Sequence, residues 1–169
     1  MSDKNQDLGV ETLLGQIDAG LDVLGRIERH LASFYANEGN AMGRNQVAAV
    51  VVADALTRYY TAAETMFFRI ARFFENNVGG DRWHAELLDR MRIEVPGIRP
   101  SVLSEPNYGA LRELMRFRHF SRYYVELDYD WDRLDFLLIK YNQAKAGLAA
   151  DVKAFCKTLA SLHVPLEGA

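Results

Sequence analysis

Apolar residues recur every three or four positions along most of this chain, in stretches too long to be strands and with no period-two alternation, so helices must carry the fold. In the first stretch, from about Val10 to Tyr35, Leu13, Leu14, Ile17, Leu21, Leu24, Ile27, Leu31 and Phe34 mark one face of a helix. The cluster Asn37, Glu38, Gly39, Asn40 and Gly43 supplies turn chemistry after it and predicts a chain reversal. A second helix is expected from about Gln46 to Glu75. Its apolar residues, among them Tyr59, Tyr60, Met66, Phe67, Ile70 and Phe73, cover much of its circumference, which makes it the central, most buried element.

Asp81 is placed to cap a short helix over about Arg82 to Arg92, which must end before Pro96, Gly97 and Pro100. Residues 95–104 read as a loop. A third long helix is expected from about Pro106 to Tyr124, with Ser104 or Glu105 near its cap, and Asp128 to Asp130 break the pattern. The last helix runs from about Asp130 to Leu162 and is closed by Pro165. Four long helices, one short one and brief connections predict an all-α, up-and-down helical bundle. With 169 residues and no repeat or linker, residues 1–169 read as a single domain whose ends, 1–8 and 164–169, are expected to fray.

Twenty Lys and Arg against 23 Asp and Glu leave a net charge of -3, so no global field draws nucleic acid or an anionic membrane. Any nucleic-acid contact must come from a local cluster. A lone Cys156 excludes an intrachain disulfide framework and a Cys-rich zinc motif, and a reducing, cytoplasmic setting fits it. The longest apolar-leaning stretch, Val47 to Leu56, falls well short of the roughly 20 residues of a membrane span, so no membrane association is expected. No pattern of His and carboxylates suggests a metal, and no Gly-rich loop or nucleophile elbow suggests a cofactor or acyl-transfer site.

One dense cationic cluster stands out. Arg112, Arg116, Arg118 and Arg122, with His119, Tyr123 and Tyr124, crowd little more than three turns of the third long helix. On a helical wheel Arg118 and Arg122 share the stripe of Leu111, Leu114 and Met115, while Arg112, Arg116, His119 and Tyr123 lie along its flank. Guanidiniums on an inward face need partners or a wet cleft, because an unpaired buried charge costs several kcal/mol. Two readings follow: pairing with carboxylates such as Asp54, Glu64 or Asp132, or a phosphate-facing cleft in which Arg forks bind phosphate and His or Tyr moves a proton. His30, His84 and His163 read as histidines without chemistry.

The run Arg118-His119-Phe-Ser-Arg122-Tyr123-Tyr124, followed by Glu126-Leu127-Asp128 and Trp131, resembles the core of the HepT-like branch of the HEPN family. Tyr59-Tyr60-x-x-x-Glu64 with Arg69-Ile-Ala-Arg72-Phe, Trp83-His84-x-x-Leu87-Leu88, and Pro96-Gly97-Ile98-Arg99-Pro100 through Ser104 are similar to that branch as well. The resemblance covers roughly Tyr59 to Leu138. It implies a helical bundle that forms a homodimer, cleaves RNA without a metal or other cofactor, and is neutralised by a cognate minimal nucleotidyltransferase antitoxin.

In that family an arginine is followed after four to six residues by a histidine. With Arg118 as the family arginine, the histidine position holds Tyr123 and the following tyrosine position holds Val125, so the motif is degenerate. As a ribonuclease of this kind the chain would use Arg118, His119 and Tyr123 in catalysis, with His119 as a substitute acid or base, and Arg112, Arg116, Arg122 and Tyr124 to bind RNA or phosphate. Tyrosine, with an ordinary pKa of about 10, is a poor base at neutral pH, which makes a catalytically inactive module that binds a nucleotidyltransferase or nucleic acid the alternative.

Overall fold

The computed structural model describes residues 2–75 and 83–162, with side chains described for 9–75 and 86–162. Among the described residues five helices form the bundle: α1 (Ser2–Phe34), α2 (Gln46–Phe74), α3 (Trp83–Arg92), α4 (Glu105–Tyr123) and α5 (Trp131–Leu162). No strand occurs among the described residues, only a bridge between Val95 and Arg99. Helix α2 is the axis, packing against α1, α3, α4 and α5. Its buried residues include Val52, Leu56, Tyr59, Tyr60, Ala63, Met66, Phe67 and Ile70, which explains apolar side chains around so much of its circumference.

Gly20 lets α1 approach α2 closely, since a methyl group there would meet Met66 at 3.3 Å. Beyond Phe34 the chain does not turn at Asn37. It widens into a π-helical turn over Tyr35–Gly39, continues helically through Asn40–Met42, and reverses at Gly43, whose φ of 65° is open to glycine and strained for most residues. Asn45 then caps α2, its side-chain oxygen accepting from the Ala48 N–H at 2.9 Å.

The 93–104 connection is tied down despite its irregular backbone. Arg99, whose side chain is fully buried, donates to Glu75 at 3.0 Å and to the backbone oxygens of Arg90 and Ile93, while Arg90 also pairs with Glu75 at 2.7 Å. Ser104 sits at the cap position of α4, yet its side chain does not cap the helix. Its hydroxyl and N–H both donate to Asp151 of α5, each at 2.8 Å, and Asn107 donates to the same oxygen at 2.6 Å. Gly147 leaves the space that Asn107 fills. The start of α4 is thereby fixed to α5.

Element boundaries fall close to those the apolar pattern predicts, except at the amino end, where α1 begins at Ser2 rather than near Val10. Asp81 and Pro165, expected to cap α3 and close α5, lie outside the described residues.

Candidate nucleic-acid interface

The segment from Arg112 to Tyr124 occupies the second half of α4 and its end. Leu111, Leu114 and Phe117 are buried toward α2 and α5, which rolls Arg112, Arg116, His119 and Tyr123 into one solvent-facing row. Tyr123 is 72% exposed. His119 and Tyr123, one turn apart, touch edge to face with ring centroids 5.5 Å apart, and the Arg122 guanidinium lies 6.0 Å from the Tyr123 ring. Arg116 is held by Glu113 at 2.7 Å across one turn. Arg122 is exposed rather than on the inward stripe, and at its level Ser121 faces α2 instead.

Arg118 behaves differently from the other arginines of the cluster. Its side chain turns under the helix toward α2, pairs with Glu64 at 3.1 Å and donates through Nε to Thr61 at 3.0 Å. Glu64 is 5% exposed and Arg118 15%, so this is a largely desolvated ion pair. Ser121 and Thr57 meet at 3.3 Å one turn further on, which completes a polar seam between α2 and α4. Beside the seam, burial first and the Glu64 charge second push the Tyr60 hydroxyl well above its ordinary pKa. Of the carboxylates expected to answer the arginines, Glu64 does so, whereas Asp54 is bound to Arg58 at 2.6 Å.

Tyr124 is separated from Tyr123. Its ring stacks on Phe120, with centroids 4.8 Å apart, and its hydroxyl donates to the Asp128 carbonyl at 2.9 Å, pinning the α4–α5 connection. Arg133 of α5 covers the other side of this aromatic group, 4.3 Å from the Phe120 ring. Sequence spacing had no means of joining Arg133 to the cluster, because the intervening connection sets its position. Val125 and Leu127 stand 94% and 63% exposed beside the row, an apolar tip next to the cations.

The expected site therefore divides in two. Arg112, Arg116, His119, Arg122 and Tyr123 share an accessible cationic and aromatic surface, while Arg118 and Tyr124 hold α4 and its exit in place. His30 is exposed on α1, and the His84 side chain and His163 lie outside the described residues. Among the described residues no three His, Cys, Asp or Glu side chains cluster so as to hold a metal ion, and no helix is long and apolar enough to cross a membrane.

The all-α bundle and the Arg, His and Tyr row at the end of α4 are consistent with a HEPN-type domain. The family model for HepT-like proteins matches residues 51–159, more than half of the 169, and the chain belongs to the HepT-like family. The match takes in the whole of Arg112 to Tyr124 and begins inside α2, leaving α1 and the turn after it outside. No curated protein and no solved structure gives a match.

Proposed function

We propose that this protein is a HepT-like toxin of a toxin–antitoxin pair, a metal-independent RNA endonuclease that acts as a homodimer and is restrained by a minimal nucleotidyltransferase. The observation that carries this reading is the exposed row in which His119 stands among Arg112, Arg116 and Arg122 with Tyr123 beside it. Exposed guanidiniums bind the RNA backbone, and an accessible aromatic ring stacks on a base.

His119 takes the proton of a ribose 2′-hydroxyl, and the 2′-oxygen forms a bond to the neighbouring phosphorus as the bond from phosphorus to the 5′-oxygen breaks. The departing 5′-oxygen takes a proton from the imidazolium of the second copy's equivalent histidine. The products are a 2′,3′-cyclic phosphate and a 5′-hydroxyl. Arginine donors stabilise the charge that builds on the phosphoryl oxygens. Arg118, already neutralised by Glu64, acts as a positioning residue that fixes the rotation of α4 and hence the direction in which His119 points.

A second reading, a module that binds RNA or a nucleotidyltransferase without cutting, is favoured by Tyr123 at the family histidine position and by the burial of Arg118 in its ion pair. RNA binding tests what the two readings share. Reversing Arg112 and Arg116 to Glu should lower affinity for single-stranded RNA and flatten the dependence of log K on log salt by at least about 1.4, at roughly 0.7 for each phosphate that the protein no longer neutralises. An unchanged slope removes this face as an RNA-binding surface from both readings.

A further inference from the structure

Helix α1 packs along α2, and the groove between them is lined on α2 by residues from Val50 to Phe73, about 35 Å at 1.5 Å per residue. Three recesses form it end to end. The one at Phe73 shares Thr65 and Arg69 with the middle one, and the middle one shares Arg26 with the one at Val50. Thr65, Arg69 and Arg72 are an exposed strip of α2 that starts one turn beyond Thr61, where Arg118 of the α2–α4 seam donates. The groove therefore leads away from the edge of the candidate site.

Its charge is opposite to that of the whole chain, which carries -3. Arg26, Arg58, Arg69 and Arg72 line it, all exposed, against Asp22 and Asp54, and Asp54 is held by Arg58 at 2.6 Å. The recess at Phe73, about 670 Å³, has no carboxylate on its lining. There Arg69 and Arg72 stand three positions apart, where like charges on a helix repel. Arg69 spends one N–H on the Gln16 carbonyl at 3.3 Å, and Arg26 and Arg72 make no hydrogen bond or ion pair among the described residues. A place in the last turn of α2 suits Arg72 to the helix dipole, but it does not account for Arg69 or Arg26. Beside the two guanidiniums the Phe73 ring is 37% exposed, and Gly9 lets it lie against α1, since a methyl there would meet the ring at 3.3 Å. Thr12, Gln16 and Thr65 add neutral polar groups. Guanidinium forks bind phosphate, and an accessible ring gives a base a surface to stack on, which an acidic peptide would not use.

We propose that the α1–α2 groove is a track for single-stranded RNA, in which Arg69 and Arg72 hold backbone phosphates, Phe73 stacks on a base, and Arg26 holds the backbone at the level of Ala62. This rests on the RNA-binding reading of the α4 row and carries the strand beyond it by about 12 Å, the rise from Thr61 to Arg69 along α2.

Fluorescence anisotropy of the full chain with a single-stranded oligoadenylate of about sixteen nucleotides, the upper end of common single-strand sites, tests this. Arg69→Gln combined with Arg72→Gln should flatten log K against log salt by about 1.4, at roughly 0.7 for each phosphate no longer neutralised; over the decade from about 0.1 M to 1 M salt this is about 25-fold weaker binding. Both side chains are exposed, so the pair should melt with the parent protein. Arg69→Lys with Arg72→Lys keeps the charge and should keep the slope. Lys153→Gln with Lys157→Gln removes two exposed cations of α5 that line none of the three recesses, and should also leave it unchanged. A slope that survives in the glutamine pair, falls as far in the α5 pair, or is lost in the lysine pair would each overturn the track. If Arg112→Glu with Arg116→Glu flattens the slope while the glutamine pair does not, the track alone fails. A parent protein that binds no RNA removes the track and the reading of the α4 row together. RNA affinity kept in the glutamine pair while a dimer of the parent dissociates would give the groove to a second copy of the chain instead.

Discussion

Arg118→Ala separates a structural arginine from a catalytic one. The substitution removes the guanidinium that faces Glu64 at 3.1 Å and Thr61 at 3.0 Å, and a 5% exposed carboxylate loses that guanidinium. Breaking one side of a buried ion pair costs about 3–5 kcal/mol, most of it the stranded charge rather than the lost attraction. For a domain of this size each kcal/mol lowers Tm by about 2–4 °C, so a fall of roughly 6–20 °C is expected. Urea unfolding should show a lower midpoint with an unchanged m-value. Replacing both partners with leucine should recover much of the loss, since apolar groups of similar volume leave no charge behind. A cost for Arg118→Ala below about 1 kcal/mol would refute this account of the seam, and the positioning role given to Arg118 would go with it.

Gly147→Ala should destabilise the bundle by about 1–3 kcal/mol, because the new methyl would lie 2.5 Å from the Asn107 amide, which its bond to Asp151 at 2.6 Å holds in place. Gly15→Ala, with nothing within 4 Å, should stabilise by about 0.5–1 kcal/mol; thermal melts of the two variants should move in opposite directions. Burial raises the Tyr59, Tyr60 and Tyr141 hydroxyls, Tyr141 to about 12. Their contribution is therefore intact below pH 10 and is lost above it, as the unfolded chain ionises first, at about 1.4 kcal/mol per pH unit per phenol. Urea midpoints that stay level from pH 9 to 11 would contradict the burial of these phenols.

The fold was legible because its cause is local and repeated. The spacing of Leu13, Ile17, Leu24 and Leu31, or of Leu134, Tyr141, Leu148 and Phe155, states which face of α1 or α5 is buried, and the structure buries those faces. Where a boundary depends on something other than apolar spacing, the pattern gave less. The polar residues before Val10 continue α1 without any periodic signal, and the Asn and Gly cluster after Phe34 forms a π-helical turn before the chain reverses at Gly43.

The candidate site was legible as a set of residues but not as an arrangement. Density of Arg, His and Tyr picks out α4, and helical spacing puts Arg112, Arg116, His119 and Tyr123 on one row, as found. Helical spacing also put Arg122 inward with Arg118, and it could not show which arginine has an acid opposite. That depends on Glu64 and Thr61, more than fifty residues earlier on α2. The buried Tyr141 hydroxyl, which meets no hydrogen-bond partner, was invisible for the same reason. An unsatisfied hydroxyl is a property of the three elements that close over it, and no spacing within α5 reveals it.

An RNA-cleavage assay on the purified protein, with His119→Ala and Tyr123→His beside it, tests the central claim most directly. Both residues are exposed, so both variants should fold. Cleavage by the parent protein that leaves 2′,3′-cyclic phosphate ends and falls by about 10²–10⁴-fold in His119→Ala is the predicted result. A parent protein that binds RNA but leaves it uncut, with cleavage gained in Tyr123→His, would contradict the account and make this chain a binding module with a degenerate nuclease motif.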